Sequence, residues 1–408
     1  MLFARPALTG ANLALASDAM PTPPGAAFAR ALERIAEPLD QVERAMREQL
    51  ASEGELIAAI GEHVLSSGGK RVRPALLLLS AELCGYTGPR RVQVAAAVEL
   101  LHSATLLHDD VVDLSELRRG RPAANAVWGN RRAILVGDFC YARASSMIVE
   151  DGDLEVLRVF SNTIRRMAEG ELLQLQRSFD PSVNESHYYG VIERKSASLL
   201  SAACEAGAIL GGVTRAERRR VAEFGRELGL AFQLRDDALD YVAGEAELGK
   251  RPYTDVREGK VTLPLLLALK RCTAAEREEI GSTLKSAARH AALAASGQPL
   301  EWAVEARAAS ARETDPRAAS ARESGPRVAS ARESGPRVAS ARESGPDLEP
   351  VELAPVLSAV TRYRGVPDTV RRAEEHVERA FAAIAPFPDG AAKEALLGAA
   401  EFAAVRDR

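Results

Sequence analysis

Two groups of aspartates carry the chemistry that this sequence displays most clearly. Each group has the pattern DDxxD and follows an apolar run, and the six residues are Asp109, Asp110 and Asp113, then Asp236, Asp237 and Asp240. In a helix, residues four apart lie on the same face about 6 Å apart along the axis, so the carboxylates of each group repel one another. A divalent cation is the natural counter-charge. Mg²⁺ binds one or two carboxylates and keeps positions for substrate phosphates.

An acidic cluster can also be solvated, or can cap a neighbouring helix. For a single DDxxD pattern, solvation or helix capping explains the aspartates as well as metal binding does. Here two copies occur where a core-forming apolar run meets polar sequence, as at the mouth of a pocket. The pair therefore favours two metal sites that face one cavity.

Basic residues complete the predicted cavity. The segment SSGGKRVRP (66–74) places Lys70, Arg71 and Arg73 beside a Gly-Gly turn, and Pro74 then opens an apolar helix. Such cations and helix-end amides suit a phosphate group, although the GxxxxGK[ST] pattern of a P-loop is missing. Further cations lie in polar stretches, at Arg118, Arg119, Lys195, Lys250 and Lys260. Singly they are ordinary surface charges, but together with two metal sites they indicate a cavity for two polyanionic groups.

The elements that must position these residues are helices. Apolar residues recur at spacings of three and four over residues 31–50, 92–110 and 218–242, whereas the sequence lacks clear alternating strand patterns. Several of these helices are apolar on most faces, which indicates that other helices enclose them. We therefore predict an all-α fold, a single large helical bundle around a central cavity.

Bulk properties argue against several other classes. The chain has 408 residues and a net charge of −4, which gives no reason to expect binding to nucleic acid. Its cysteines are widely separated and form no CxxC motif, as expected for free thiols in a reducing compartment. No apolar run approaches the roughly 20 residues of a membrane-spanning helix, and the N-terminal segment makes a poor secretion signal. We predict a cytoplasmic protein.

One segment departs from the helical pattern. Residues 307–346 contain four copies of a ten-residue unit of the type RVASARESGP, each ending in proline. A proline in every unit would stop a helix once per repeat, and few large apolar residues are available for burial. We predict a flexible, slightly basic insertion at about 297–348. A partner-binding array is the alternative.

Six segments of the sequence resemble the trans-prenyl diphosphate synthases. They are GGKRVRP (68–74), LLHDDVVDLSELRRGRPAAN (106–125), GDFCYARA (137–144), ERKSASLL (193–200), FQLRDDALDY (232–241) and LGKRPYTDVREGKVTLPLLLAL (248–269). Within the family the likeness is to the bacterial octaprenyl type, and it covers most of residues 27–295 before it resumes near residue 350. It implies the isoprenoid synthase fold over residues 27–408, interrupted by the insertion. We predict a disordered leader over residues 1–26 ahead of it.

The resemblance implies a role for each candidate residue. The two aspartate groups would hold Mg²⁺, three ions in all, on an allylic diphosphate from opposite walls. Residues implied in catalysis are Asp109, Asp113, Asp236 and Lys195. Contacts to the allylic diphosphate are implied for Arg118, Lys195, Ser196, Gln233, Lys250 and Lys260, and contacts to isopentenyl diphosphate for Lys70, Arg73, His102 and Arg119. Ser196 stands where many relatives have threonine, a change that keeps the hydroxyl.

The implied reaction is a head-to-tail (1′-4) condensation of isopentenyl diphosphate onto an allylic diphosphate, with farnesyl diphosphate as the primer. Metal ions and cations stabilise the leaving diphosphate, and an allylic carbocation forms in a cavity that excludes water. Each cycle adds five carbons, whose burial contributes about 4 kcal/mol at roughly 0.8 kcal/mol per carbon. A hydrophobic tunnel must therefore lie below the metal ions.

Three small side chains are predicted to leave that tunnel open. Ala104 and Thr105 lie one turn before Asp109, where short-chain relatives often have an aromatic residue. Ser145 falls where octaprenyl synthases tend to have one, although another side chain could fill that gap. We predict an octaprenyl (40-carbon) or longer product for quinone side chains. The family further implies a homodimer, with at most a peripheral membrane contact for product release.

Four alternatives stay open on the sequence alone. A geranylgeranyl or farnesyl synthase would need a floor that the small tunnel residues do not supply. A class I terpene cyclase also has an Asp-rich metal site, but it usually carries an Asn/Ser/Glu second motif and needs no isopentenyl site. A silent subunit of a two-component synthase usually lacks one Asp group. A binding module that recruits a partner through residues 307–346 would leave the paired metal sites unexplained.

Overall fold

The computed structural model describes residues 26–51, 54–66, 69–242, 253–296 and 353–405. The repeat insertion, Lys250 and all of the predicted leader except Ala26 lie outside the described residues. Within the described ranges the chain is helical, apart from loops and one short two-stranded hairpin. The all-α prediction is confirmed.

The first part of the chain begins with five helices that lead to the first aspartate group. The elements up to residue 176 are α1 (Ala26–Arg34), α2 (Ala36–Leu50), α3 (Glu55–Ser66), α4 (Val72–Leu83), α5 (Arg90–Val112), β1 (Leu117–Arg118), β2 (Arg121–Pro122), α6 (Ala124–Trp128), α7 (Asn130–Asp151) and α8 (Leu154–Gln176). The hairpin of β1 and β2 is antiparallel and follows α5 directly. It therefore holds the arginines of the first motif beside its aspartates.

The second part of the chain contains the helix that carries the second aspartate group. Its elements are α9 (Glu185–Ile192), a π-helical turn (Glu193–Ala197), α10 (Ser198–Leu210), α11 (Arg215–Leu239), α12 (Thr254–Arg257), α13 (Leu263–Arg271), α14 (Ala274–Ser296), α15 (Ala354–Arg362), α16 (Gly365–Ile384) and α17 (Ala391–Val405). The π-helical turn joins α9 to α10 without a break in the helical path.

The predicted helices match the structure with two corrections. Residues 92–110 lie within α5, but the helix predicted over 218–242 is α11, which ends at Leu239. Residues 31–50 form two helices that meet at Ile35 (φ −102°, ψ 17°). The cause is Pro38, which has no N–H to donate to the carbonyl of Arg34. The helix must therefore restart one turn before the proline.

Side-chain caps fix the starts of two helices that line the site. At α8, the Asp153 carboxylate accepts hydrogen bonds from the backbone N–H groups of Glu155 and Val156. At α11, Thr214 and Glu217 form a reciprocal capping box. Each cap contributes about 1 kcal/mol to helix stability. The caps set the starting points of the two helices and thereby help to position the site residues that they carry.

Two apolar cores hold the bundle together. The larger one joins α4, α5, α7 and α10, and four consecutive leucines of α4 (76–79) are fully buried in it, so this helix is enclosed on all sides. The smaller one joins α11 to α13 and α15 and lies beneath the second aspartate group. The larger core contains Leu107, which precedes the first aspartate group, and the smaller contains Leu234, which precedes the second.

Candidate active site

The first aspartate group lies at the C-terminal end of α5. Asp110 is buried, and its Oδ1 atom lies 2.6 Å from both Nε and Nη2 of Arg118. Burial raises the pKa of Asp109, Lys195 opposes that shift, and the neighbouring carboxylate Glu171 adds to it. The group is therefore a set of desolvated carboxylates that need cations.

The second aspartate group lies at the C-terminal end of α11, and three neutral donors contact two of its members. The buried Asp237 accepts a hydrogen bond from the Tyr188 hydroxyl at 2.5 Å and one from Gln233 Nε2 at 2.8 Å. Asp240 is the C-cap residue, and its Oδ2 atom accepts a hydrogen bond from a backbone N–H of α12 at 3.0 Å. Asp236 precedes them on the same helix and is half-buried.

Lys260 pairs with the first aspartate group. Its Nζ atom lies 3.0 Å from Oδ2 of Asp113 and 2.5 Å from Oε2 of Glu258. Burial alone would lower the pKa of Lys260, but Glu258, Asp113 and Asp255 together raise it above its ordinary value. The ammonium is therefore charged at neutral pH, and it provides a fixed positive charge between the first group and the wall that carries the second.

A cavity of about 130 Å³ lies between α8, α9, α11 and the segment 255–262. Five of the predicted site residues line it, namely Lys195, Ser196, Gln233, Asp237 and Lys260. Apolar side chains, among them Val191, Ile192 and Val261, form another part of its wall. The cavity thus combines cations and two carboxylates, Asp237 and Asp255, with an apolar lining.

The π-helical turn carries Lys195 and Ser196 to the edge of this cavity. The Ser196 hydroxyl donates a hydrogen bond to Gln233 Oε1 at 2.6 Å, and Gln233 in turn donates to the second aspartate group. Lys195 forms an ion pair with Glu171 of α8. π-Helical turns are rare and occur frequently at functional sites, because they redirect side chains within a continuous helix.

Two glycines allow the π-helical turn to lie against its neighbours. A methyl group on Gly170 of α8 would lie 2.8 Å from the backbone nitrogen of Lys195. On the other side, a methyl group on Gly229 of α11 would lie 2.5 Å from the Cα atom of Ala197. Any larger residue at either position would displace the turn that presents Lys195.

The residues predicted for isopentenyl diphosphate form a cluster of positive charge. Burial lowers the pKa of Arg73, and Arg119 lowers it further while Glu99 raises it. Burial, together with Arg73 and Arg119, holds the pKa of His102 well below its ordinary value, so its imidazole is neutral at pH 7. The Arg119 guanidinium lies against Gly69, where an added methyl group would come within 2.8 Å of Nη1.

Arg71 and Lys70 anchor the segment that brings Arg73 into this cluster. Arg71 has a left-handed backbone (φ 46°), and its guanidinium lies 3.1 Å from a Glu43 carboxylate oxygen and 3.3 Å from one of Glu99. The Lys70 ammonium lies 4.1 Å from the centre of the Phe402 ring, a cation–π contact with α17. The contacts link this segment to α2, α5 and the last helix.

Comparison with known proteins places this geometry in a family. The polyprenyl synthetase family matches residues 54–296. The octaprenyl diphosphate synthase of Escherichia coli is 38% identical over 376 residues, which cover 92% of this chain and 98% of the relative. The chain belongs to the polyprenyl synthetase family. It is therefore a prenyltransferase, as predicted.

Solved structures of other polyprenyl synthases have the same fold. A polyprenyl synthase from Caulobacter crescentus, complexed with calcium and isoprenyl diphosphate, superposes with a TM-score of 0.76 at 33% identity, covering 93% of this chain and 98% of that one. A decaprenyl diphosphate synthase from Rhodobacter capsulatus superposes with a TM-score of 0.74 at 32% identity, covering 93% and 99%. The isoprenoid synthase fold predicted for this chain is confirmed.

The donor set of this polyprenyl synthetase suits a hard divalent cation. Within the described residues, no three acidic, imidazole or thiol side chains are already arranged as a metal cage. Mg²⁺ does not require one, because it keeps several waters and binds through one or two carboxylates plus phosphate oxygens. The buried oxygens of Asp110 and Asp237 and the mostly buried Asp109 fit such an ion, which would bind together with a diphosphate.

The predicted chain-length residues lie on two adjacent helices of the polyprenyl synthetase. Ala104 is buried on α5, and the Thr105 hydroxyl next to it donates a hydrogen bond to the His102 carbonyl at 2.8 Å. Ser145 lies on α7, where its hydroxyl donates to the Tyr141 carbonyl at 3.0 Å. The described cavity is not lined by these three residues. Their role in setting product length stays a prediction.

Four residues of the site were not predicted from the sequence. Glu171, Tyr188, Glu99 and Glu258 contact, respectively, Lys195, Asp237, Arg71 and Lys260. The first three lie in ordinary helical sequence and carry no local signal. Glu258 lies in the LGKRPYTDVREGK segment, whose density of charge was the available clue.

No helix in the described parts of the chain is both long and apolar enough to cross a bilayer.

Proposed function

We propose that this chain is a long-chain trans-polyprenyl diphosphate synthase that requires Mg²⁺. The ion pair between Lys260 and Asp113 carries the proposal, because Lys260 also lines the cavity that contains Asp237. One side chain thus pairs with the first aspartate group and lines the same cavity as Asp237 of the second, which supports a single site for one diphosphate. The identity to octaprenyl diphosphate synthase over nearly its whole length supports the long-chain product.

The substrates are isopentenyl diphosphate and an allylic diphosphate, with farnesyl diphosphate as the proposed primer. The allylic diphosphate binds between the aspartate groups and contacts Arg118, Lys195 and Lys260. The second diphosphate binds at the cluster of residues predicted for isopentenyl diphosphate, in which Arg73 and Arg119 supply positive charge. The neutral His102 supplies an N–H donor. Two separate sets of cations support two separate anion sites.

The residues of the chain assist the reaction by electrostatics and by exclusion of water. When bound, Mg²⁺ stabilises the charge that develops on the leaving diphosphate. Lys195 and Lys260 hold that diphosphate in place, and the apolar wall formed by Val191 and Ile192 keeps water from the allylic carbon. The double bond of isopentenyl diphosphate then attacks the allylic carbon. The released diphosphate takes up the proton that the condensed chain loses.

The finer assignments rest on the resemblance and on the small residues of α5. We propose an octaprenyl or longer product, because Ala104 and Thr105 are small side chains one turn before the first aspartate group. Three Mg²⁺ ions, a homodimer and a peripheral membrane contact during product release complete the proposal. The cytoplasm is its proposed compartment.

The direct test is incubation with labelled isopentenyl diphosphate, farnesyl diphosphate and Mg²⁺, followed by chromatography of the dephosphorylated chains. The expected result is label in chains of octaprenyl length or longer, and no incorporation in the presence of a chelator. Label that stays in isopentenyl diphosphate at every Mg²⁺ concentration would refute the synthase. Cyclised hydrocarbons from the primer alone would instead identify a terpene cyclase.

A further inference from the structure

Glu171 lies on a wall of the site that neither aspartate group occupies. It belongs to α8, and its Oε2 atom forms an ion pair with Lys195. The other carboxylate oxygen, Oε1, is buried and has no hydrogen-bond partner among the described residues. A buried acceptor of this kind is unfavourable unless a further donor or a cation satisfies it.

The carboxylate of Glu171 also lies near the first aspartate group. Its charge adds to the rise in the pKa of Asp109, whereas the charge of Lys195 opposes that rise. Gly170, the preceding residue, packs directly on the backbone of Lys195 and fixes α8 against the π-helical turn. Glu171 and Lys195 therefore stand together because the backbones that carry them are in contact.

Each cation proposed to bind the allylic diphosphate, among those described, is paired with a carboxylate. The pairs are Arg118 with Asp110, Lys260 with Asp113, and Lys195 with Glu171. In the first two pairs the carboxylate belongs to the proposed metal site. The third pair repeats the arrangement with a carboxylate to which the resemblance assigns no role. A diphosphate that binds Lys195 must compete with Glu171 for the ammonium group. The negative charge of Glu171 then acts on a metal ion beside Asp109.

We propose that Glu171 is a positioning residue that couples metal binding to diphosphate binding. It holds Lys195 at the edge of the cavity, and it adds negative charge to the metal side of the site when a diphosphate takes up the ammonium. The inference rests on the proposed function. A fixed carboxylate at this place favours nearby cations and disfavours nearby anions, so its removal changes the two affinities in opposite directions.

The test measures two equilibria on the full-length protein. Glu171→Gln keeps the shape of the side chain and removes its charge. Titration calorimetry with inorganic pyrophosphate in a chelator is expected to show about tenfold tighter binding to this variant than to the wild type, and Mn²⁺ alone is expected to bind about tenfold more weakly. Glu169→Gln, which removes an exposed carboxylate paired with Arg165 on the same helix, is expected to leave both affinities unchanged.

Opposite changes distinguish this role from a structural one. A variant that binds both probes more weakly, or that gains no affinity for pyrophosphate, or that loses none for Mn²⁺, overturns the inference. Glu171→Asp keeps the charge and is expected to return both affinities towards the wild-type values. If the wild type makes polyprenyl chains while Glu171→Gln fails this test, only the inference is wrong. If the wild type makes none, the proposed function itself fails.

Discussion

The two aspartate groups have the same spacing but different surroundings. In the first group, the described contacts are to cations, since Asp110 pairs with Arg118 and Asp113 with Lys260. In the second, Asp237 accepts from a phenol and an amide, and Asp240 accepts from a backbone N–H. The described contacts of the first group are thus ion pairs with exchangeable cations, whereas those described for Asp237 and Asp240 are hydrogen bonds from directional neutral donors.

The difference indicates a division of labour within one site. Cations that pair with carboxylates can transfer to a phosphate when a metal ion takes their place, so the first group can rearrange when substrate binds. Neutral donors bound to Asp237 fix the direction of its oxygens at little electrostatic cost. We expect the first group to tune substrate exchange and the second to act as the more rigid support.

Removal of a carboxylate proposed to bind metal is expected to have the largest effect. Asp109→Ala should lower kcat by about a thousandfold, because it removes charge stabilisation from the leaving diphosphate. Initial rates of label incorporation at saturating substrate measure this loss. Asp40→Ala, at an exposed position of α2, is the matched control and should keep the wild-type rate. A variant at position 109 with more than a tenth of the wild-type activity would contradict the assigned role.

Tyr188→Phe tests the rigid support of the second group. It removes the hydroxyl that donates to Asp237 and should weaken the apparent affinity for Mg²⁺ by about ten- to a hundredfold, as is usual for residues that orient a metal ligand. Rates measured as a function of Mg²⁺ concentration report this change. Tyr189→Phe, one position along α9, should leave the metal dependence as it is. If the two variants show the same Mg²⁺ dependence, the Tyr188 hydroxyl does not support the second aspartate group.

The surroundings of His102 extend the comparison to positive charges, because Arg73 and Arg119 both lie near its imidazole. Because the pKa of His102 is lowered by burial and by Arg73 and Arg119, the unfolded chain takes up the proton first as the pH falls below about 6.5. Stability is therefore full at neutral pH and declines towards the lowered pKa. His102→Gln should reduce this decline by about 1 kcal/mol per pH unit.

Urea unfolding at pH 7.5 and pH 5.5 measures that difference. Thr105→Val loses the hydroxyl bond to the His102 carbonyl but keeps the imidazole, so its stability should depend on pH as that of the wild type does. A pH dependence that His102→Gln leaves unaltered would mean that the imidazole is charged in the folded protein. In that case His102 would not be buried beside Arg73 and Arg119.

The smallest effect on rate is expected for Ala104→Phe. The substitution places a ring on α5 one turn before the first aspartate group, so it should shorten the product while leaving the Mg²⁺ dependence intact. Chromatography of the product chains measures the length. Products of unchanged length would place the tunnel floor elsewhere.

The sequence was sufficient for the fold and for the residues that repeat a pattern. The aspartate groups were found because their spacing matches a helix, and the helices because their apolar residues recur every three or four positions. Glu171 and Tyr188 were not found, because their partners Lys195 and Asp237 lie far away along the chain and meet them only through packing of α8 and α9 against the π-helical turn and α11. The break at Ile35 could have been predicted from Pro38.

The central claim is that both aspartate groups bind one diphosphate through shared metal ions. A crystal structure with Mn²⁺ and inorganic pyrophosphate, with the metal located by anomalous scattering, tests it most directly. We predict one pyrophosphate with Mn²⁺ peaks on its two sides, one set at Asp109 and Asp113 and the other at Asp236. Metal ions at the two groups with no pyrophosphate between them would contradict the account.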